Sequence, residues 1–162
     1  MAHYSKLDAT NTVIDVVVIS NEDENGSEDN GIAFCKSLFN DPDGVWKKTS
    51  YNTIAGINSG EGEPYRLNYG AVGMIYNEEL DGFVGERNVP DEWVSWTLSP
   101  TSGTYEPPTP YPTDGYLADD VEATPENIQA LPSYNWEEET LSWVLAGTLS
   151  SEDSDPIPSS TP

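Results

Sequence analysis

The side chains best suited to covalent or redox chemistry are scarce in this chain and far apart. Cys35 is the only cysteine and His3 the only histidine in 162 residues. A single thiol excludes an internal disulfide, a thiolate zinc cluster and a CxxC redox pair. Ile32, Phe34, Leu38 and Phe39 surround Cys35 in sequence, which predicts a small buried apolar side chain rather than a nucleophile. Triad or Cys-His chemistry through His3 would need a fraying N-terminus to be held within hydrogen-bond reach of its partner.

Oxygen ligands and carboxylates are abundant, yet their spacing is uninformative. Asn21-x-Asp23-x-Asn25-Gly26 imitates the first half of a calcium loop, but the twelfth position is Ile32 where a bidentate Glu is required. Glu78 with Glu79, Asp119 with Asp120, and the acids at 137–139 could suggest a glycosidase pair. Such catalysis needs two acids fixed about 5 to 10 Å apart beside a sugar site, whereas adjacent acids on turns form a solvated face. The five tryptophans, at 46, 93, 96, 136 and 143, could stack on sugars, but aromatics alternating along short strands more often build a core. Gly56, Gly60 and Gly62 lack both the strand-GxGxxG-helix context and a following GK[ST], so they do not read as a phosphate cradle. The sequence therefore predicts no catalytic residue, no metal site and no cofactor.

The charge balance narrows the partners. Lys+Arg number 6 against Asp+Glu 29, a formal net charge of -23. A nucleic acid or an anionic membrane surface would be repelled. No stretch has the 18 apolar residues of a membrane span, and residues 1–15 lack the basic-then-apolar layout of a signal peptide, so a soluble chain is expected.

A length of 162 residues suits one domain with a tail, able to bury roughly 70% of its unfolded surface. Thirteen Gly, thirteen Pro and 10% aromatics favour strands over a helical bundle. The expected fold is mainly β, with antiparallel hairpins in a meander that forms a small sandwich or barrel-like domain. One short helix, over residues 31–39, is expected beside it. Residues 4–7 and the β-branched run 13–19 read as an opening hairpin, and 45–51 as a strand. The Gly-, Asn- and Ser-rich stretch 53–64 reads as a surface loop. Short strands follow at 66–76, 82–84, 93–98 and 104–106. Prolines at 107, 108, 110 and 112 make an extended strip that cannot enter a central sheet. Residues 125–131 have weak helical character, and 134–145 read as a last hairpin. The domain is placed at 1–146, with 1–64 and 65–146 as candidate subdomains, and 147–162 as a disordered acidic Ser/Pro tail.

A repeated spacing underlies this layout. Tyr76 and Phe83, Leu98 and Tyr105, and Trp136 and Trp143 are each seven positions apart, and Leu7 and Ile14 share the interval. A polar residue follows each first member. This suits a hairpin in which the returning strand brings a large side chain opposite its partner. Because the intervals between units are irregular, the repeat is neither a solenoid nor a propeller.

Several longer phrases carry a resemblance. They are residues 1–8 leading into Val16, Val17 and Val18; Gly31-Ile32-Ala33-Phe34-Cys35; Trp46-Lys47-Lys48-Thr49-Ser50-Tyr51-Asn52; Arg66-Leu67-Asn68-Tyr69-Gly70-Ala71-Val72-Gly73 with Tyr76; and Tyr111-Pro112-Thr113-Asp114-Gly115. Together they resemble a family of small virion structural proteins of tailed phages infecting marine cyanobacteria. The likeness covers most of residues 1–143; the segment 119–131 looks inserted and the stretch 147–162 added. It implies a structural, non-enzymatic role and carries over no active-site residue. A subunit of this charge would be repelled by packaged DNA, which favours the particle exterior. The leading expectation is a capsid decoration or cement protein, in many copies, bound to the major capsid protein. The alternative is a tail or fibre adaptor that touches host glycan through Trp93 or Trp96. Trp46, Lys47, Lys48 and Tyr51 are the candidate docking edge, since Lys47 and Lys48 are the only adjacent basic pair.

Overall fold

The computed structural model describes residues 1–148, and the expectation for a tail lies, beyond Thr148, outside them. Gly147 and Thr148 themselves continue the final strand. Described residues fall into two compact units: Met1–Pro90 with Trp96–Glu106, and Asp91–Ser95 with the chain from Pro107 on. Residues on both sides of position 64 share the first unit: the Tyr65 N–H donates to Thr53 Oγ1 at 2.9 Å, and the Tyr69 N–H to the Thr53 carbonyl at 2.8 Å.

The first unit is organised on a sheet of β1 (Ala2–Leu7), β2 (Val13–Ile19) and β3 (Val45–Thr49), in the order β2-β1-β3, all antiparallel. Between β2 and β3 lie α1 (Asn21–Glu24) and α2 (Glu28–Leu38). Helix α2 begins three residues before its expected start because Ser27 caps it, its Oγ accepting from the Asn30 N–H at 3.2 Å. It ends at Phe39, after which Asn40 is left-handed and Pro42 removes a donor. Gly31 and Cys35, four apart, form the buried stripe of α2, with Ile32 and Phe34 beside them. They cover Ala2, Tyr4, Ile19 and Trp46 on one face of the sheet. A Cβ on Gly31 would sit 2.1 Å from the Tyr4 hydroxyl, so only glycine lets the helix approach this closely.

The sheet's other face is packed by a hairpin. After the short hairpin β4 (Thr53–Ile54) and β5 (Ile57–Asn58) come β6 (Ile75–Asn77) and β7 (Gly82–Val84), whose Tyr76 and Phe83 join Leu7 and Val13 in a second core cluster. The pair β8 (Thr97–Leu98) and β9 (Tyr105–Glu106) completes this unit. The second unit holds α3 (Pro125–Gln129) and the hairpin of β10 (Pro132–Glu137) and β11 (Ser142–Thr148). In α3 a capping box joins Thr124 and Asn127.

The chain is mainly β with antiparallel pairing, as composition implies. Its finer form differs. The described strands make five separate sheets, one of three strands and four of two, and no closed barrel. Most of these strands are two or three residues long, too short to merge into one meander. The described residues include three α-helices, because Ser20 and Thr124 supply caps in addition to Ser27. Residues 53–64 contain a hairpin, and the strand expected over 66–76 is reduced to its last residues: Arg66 and Leu67 are both left-handed, which breaks an extended run.

The seven-residue spacing predicts register correctly in all three aromatic hairpins. Tyr76 faces Phe83, Leu98 faces Tyr105 and Trp136 faces Trp143. Leu7 faces Val13 rather than Ile14, since a bulge interrupts β1 and β2 after Lys6.

Candidate functional site

The candidate docking residues occupy β3 and the turn after it, where strand alternation separates them. Side chains at successive strand positions point to opposite faces. Trp46 points into the core beneath α2 and is 2% exposed, stacked on Phe39 at 5.4 Å. Lys47 points to the other face, its Nζ 4.6 Å from the centre of the Tyr76 ring. Lys48 returns to the helix side and pairs with Glu24 at 2.5 Å. Tyr51, beyond the strand, is 69% exposed and stacks on His3 at 6.1 Å. The basic pair is therefore no patch: each ammonium is engaged on its own side of the sheet.

The outer edge of β3 is also occupied at Lys48. The Lys48 N–H donates to Glu28 Oε1 at 2.9 Å, and the Lys48 carbonyl accepts from Arg66 Nη1 at 2.8 Å. Arg66 Nη1 bonds the same Glu28 oxygen at 2.5 Å, while its Nε reaches Asp81 at 3.0 Å. Tyr76 donates its hydroxyl to Asp81, and Tyr65 donates to Glu28 at 3.2 Å. Burial works against the Glu28 carboxylate, but Arg66, the Lys48 N–H and Tyr65 outweigh it and hold its pKa below the ordinary 4.5. Asp81 is held below its ordinary value in the same way, burial being outweighed by Tyr76 and Arg66. Burial and the Asp81 hydrogen bond push Tyr76 up to about 12.

Lys48 and Tyr51 also line a groove of about 490 Å³ with His3, Glu24, Asn52 and Tyr65. Burial and the nearby N-terminal charge lower the His3 pKa, which keeps its imidazole neutral at neutral pH. Partial burial opposes the Glu24 carboxylate, yet Lys48 and the Tyr4 hydroxyl hold its pKa down. The groove thus offers aromatic faces, a neutral imidazole and an ion pair already closed on itself. Cys35 is wholly buried, and burial pushes its thiol up to about 11, so it is a packing residue.

The remaining sequence candidates are dispersed. Asn21–Glu24 is helical, with Asn25 left-handed at its C-cap, so the calcium-like spacing is not presented as a loop. Glu78 and Glu79 are exposed on the β6–β7 turn, and Asp119 and Asp120 are exposed in the second unit. Trp136 is buried, and Trp93, Trp96 and Trp143 are half-buried. Among the described residues, no group of three or more His, Cys, Asp or Glu is placed to hold a metal ion, and no helix is long and apolar enough to cross a membrane.

Sequence reasoning missed the residues that tie each unit together. Glu28 and Arg66 meet across 38 positions. Asn68 is buried with its amide satisfied throughout: Nδ2 donates to the carbonyls of Phe83 at 2.8 Å and Ser102 at 3.0 Å, and Oδ1 accepts from the Ala55 N–H at 2.8 Å. In the second unit Glu138 accepts from the Ser95 N–H and Oγ at 2.8 and 2.9 Å and from Trp136 Nε1 at 2.8 Å. The one available signal was scarcity: an arginine among six cations, next to tyrosine, is costly to leave unused.

Compared with protein-family models, with curated proteins and with solved structures, the chain finds no match in any of the three.

Proposed function

We propose that this is a non-enzymatic virion structural protein of a tailed phage, seated on the particle exterior as a decoration or cement protein on the major shell. The observation that carries this reading is where the positive charge goes. Of the 6 cations, Lys6, Lys48 and Arg66 are consumed in ion pairs within the first unit, and Lys47 lies over Tyr76. The 29 acids then dominate the field that the molecule projects. Such a field repels packaged DNA and suits a basic protein surface.

The phrases that carry the resemblance also support one another physically. Ser5 Oγ donates to the Gly70 carbonyl at 2.6 Å, and the Gly70 N–H donates to Thr49 Oγ1 at 2.7 Å. Gly31 admits Tyr4. All of the phrases but Tyr111-Pro112-Thr113-Asp114-Gly115, which belongs to the second unit, lie in the first and help to build it, which is what a shared structural role without a shared active site requires.

Copy number in purified particles tests the reading. A count on the order of hundreds per particle fits the head lattice; a small multiple of a tail's symmetry number moves the protein to the tail or fibre alternative. Absence from particles, contact with encapsidated DNA, or sugar released from host envelope glycans by the purified chain would overturn the proposal.

A further inference from the structure

The central sheet has two edges, and they are covered differently. Glu28 and Arg66 cover the backbone of Lys48 on β3. On β2, the segment 73–76 covers only the start: the Val13 N–H reaches the Met74 carbonyl at 2.8 Å, and the Gly73 N–H reaches the Val13 carbonyl at 2.9 Å. Further along, the Val16 N–H donates to its neighbour's side chain, Asp15 Oδ1, at 2.8 Å, which shows that it points away from β1. By antiparallel alternation Val18 points the same way. Among the described residues the Val16 carbonyl and both backbone groups of Val18 have no protein partner. The side chains along this edge are apolar and open, Ile14 at 49% and Val18 at 52% exposure. An uncovered β-branched edge is a template for another strand.

We propose that the outer edge of β2 receives an extended, apolar segment of a basic partner protein, with a lysine or arginine opposite Asp15. Charge selects this occupant. The edge runs between acids: Asp8 and Glu78 at its start, the latter bonded to Asn11, and Glu22 and Asp23 in α1 just past its end. A second copy pairing antiparallel would bring the α1 acids of one molecule against Asp8 and Glu78 of the other, in a chain of net charge -23. Asp15 acts as the gatekeeper. Its carboxylate occupies the Val16 donor and keeps like copies apart; a cation on the incoming strand draws it off and frees that donor. The inference rests on the proposed coat role only for the partner's identity, not for the edge.

The test uses the full chain and amide hydrogen exchange, with the synthetic peptide Lys-Val-Lys-Val-Thr-Val-Lys at millimolar concentration and a control with Glu in place of every Lys. The lysine peptide should slow exchange at Val16 and Val18 by about tenfold, and the glutamate peptide should not. Val18→Pro removes an outward N–H that the sheet does not use, so protection at Tyr4 and Val17 should persist while the peptide effect disappears. Asp15→Asn should narrow the discrimination between the peptides, leaving the part that the flanking acids supply, and an unchanged ratio would remove Asp15 from the gatekeeper role. No slowing, equal slowing by both peptides, an undiminished effect in Val18→Pro, or edge protection that rises with protein concentration alone overturns the inference. In particles, full occupancy by Val18→Pro sinks the edge and leaves the coat role; absence of the native chain sinks the coat role and leaves the peptide result intact.

Discussion

The Tyr76–Phe83 and Trp136–Trp143 hairpins follow one plan and differ in what lies behind them. Each joins its aromatic pair through a four-residue loop, whose last residue is left-handed: Asp81 at φ 44° and Leu141 at φ 50°. The ring centroids are 5.4 Å apart in one and 5.3 Å in the other. Yet Tyr76 and Phe83 are both buried in the second core cluster, whereas Trp143 is half-buried and Val144 and Leu145 beside it are exposed. Spacing sets which residues face each other; burial against a third element sets how much the pairing contributes to stability.

Truncating the two hairpins should expose that difference most strongly. Phe83→Ala opens a cavity in a fully buried site, and we expect a loss of about 3 to 5 kcal/mol in chemical denaturation. The lesson would be lost if Trp143→Ala cost as much; its expected loss is about 1 to 2 kcal/mol, because the ring keeps part of its surface in water. Gly70→Ala probes the same packing from outside the hairpin. A Cβ there would lie 2.6 Å from the Phe83 ring and from Ser5 Oγ, and overpacking of this kind costs about 1 to 3 kcal/mol.

Acid should separate the hairpins next. Glu28 and Asp81, both tied to Arg66, have folded pKa values below their ordinary 4.5 and 3.8. Their contribution is fully present above those ordinary values and is lost as pH falls through the folded ones. Relief of the chain's own repulsion acts in the opposite sense, so the reading is a difference. Arg66→Met should flatten the acid-induced loss of stability in the first unit; unchanged titration curves between pH 6 and about 3 would contradict the assigned coupling. The smallest effect is a gain: Leu141→Gly relieves a left-handed leucine and should stabilise the second hairpin by about 1 kcal/mol, whereas Asp81→Gly should be destabilising because it removes the partner of Tyr76 and Arg66.

What was legible in the sequence was local. A seven-residue interval with polar residues between is a statement about two strands and one turn, and it survives any tertiary context that leaves the turn intact. The docking edge was illegible for the opposite reason. Lys47 and Lys48 are neighbours in sequence, but the pleat sends one to Tyr76 and the other to Glu24. Trp46 looked like a surface anchor beside two lysines and is core, since Lys6 on the neighbouring strand lies over its ring at 5.8 Å and α2 closes above it. The contact of Glu28 with Arg66, and that of Asn68 with Ser102, depend on chain paths that no local pattern encodes. The break at Arg66 and Leu67 was hidden because neither residue type announces a left-handed backbone.

The placement of the three-stranded sheet within residues 2–49 has a consequence for biosynthesis. A ribosome that has released this stretch has released everything needed to seal the helical side around Tyr4 and Cys35. Tyr76 and Phe83 emerge only after further elongation, a delay of about 2 to 7 seconds at ordinary translation speeds. Throughout that interval the nascent sheet leaves Leu7 and Val13 without the hairpin that buries them, a half-covered layer.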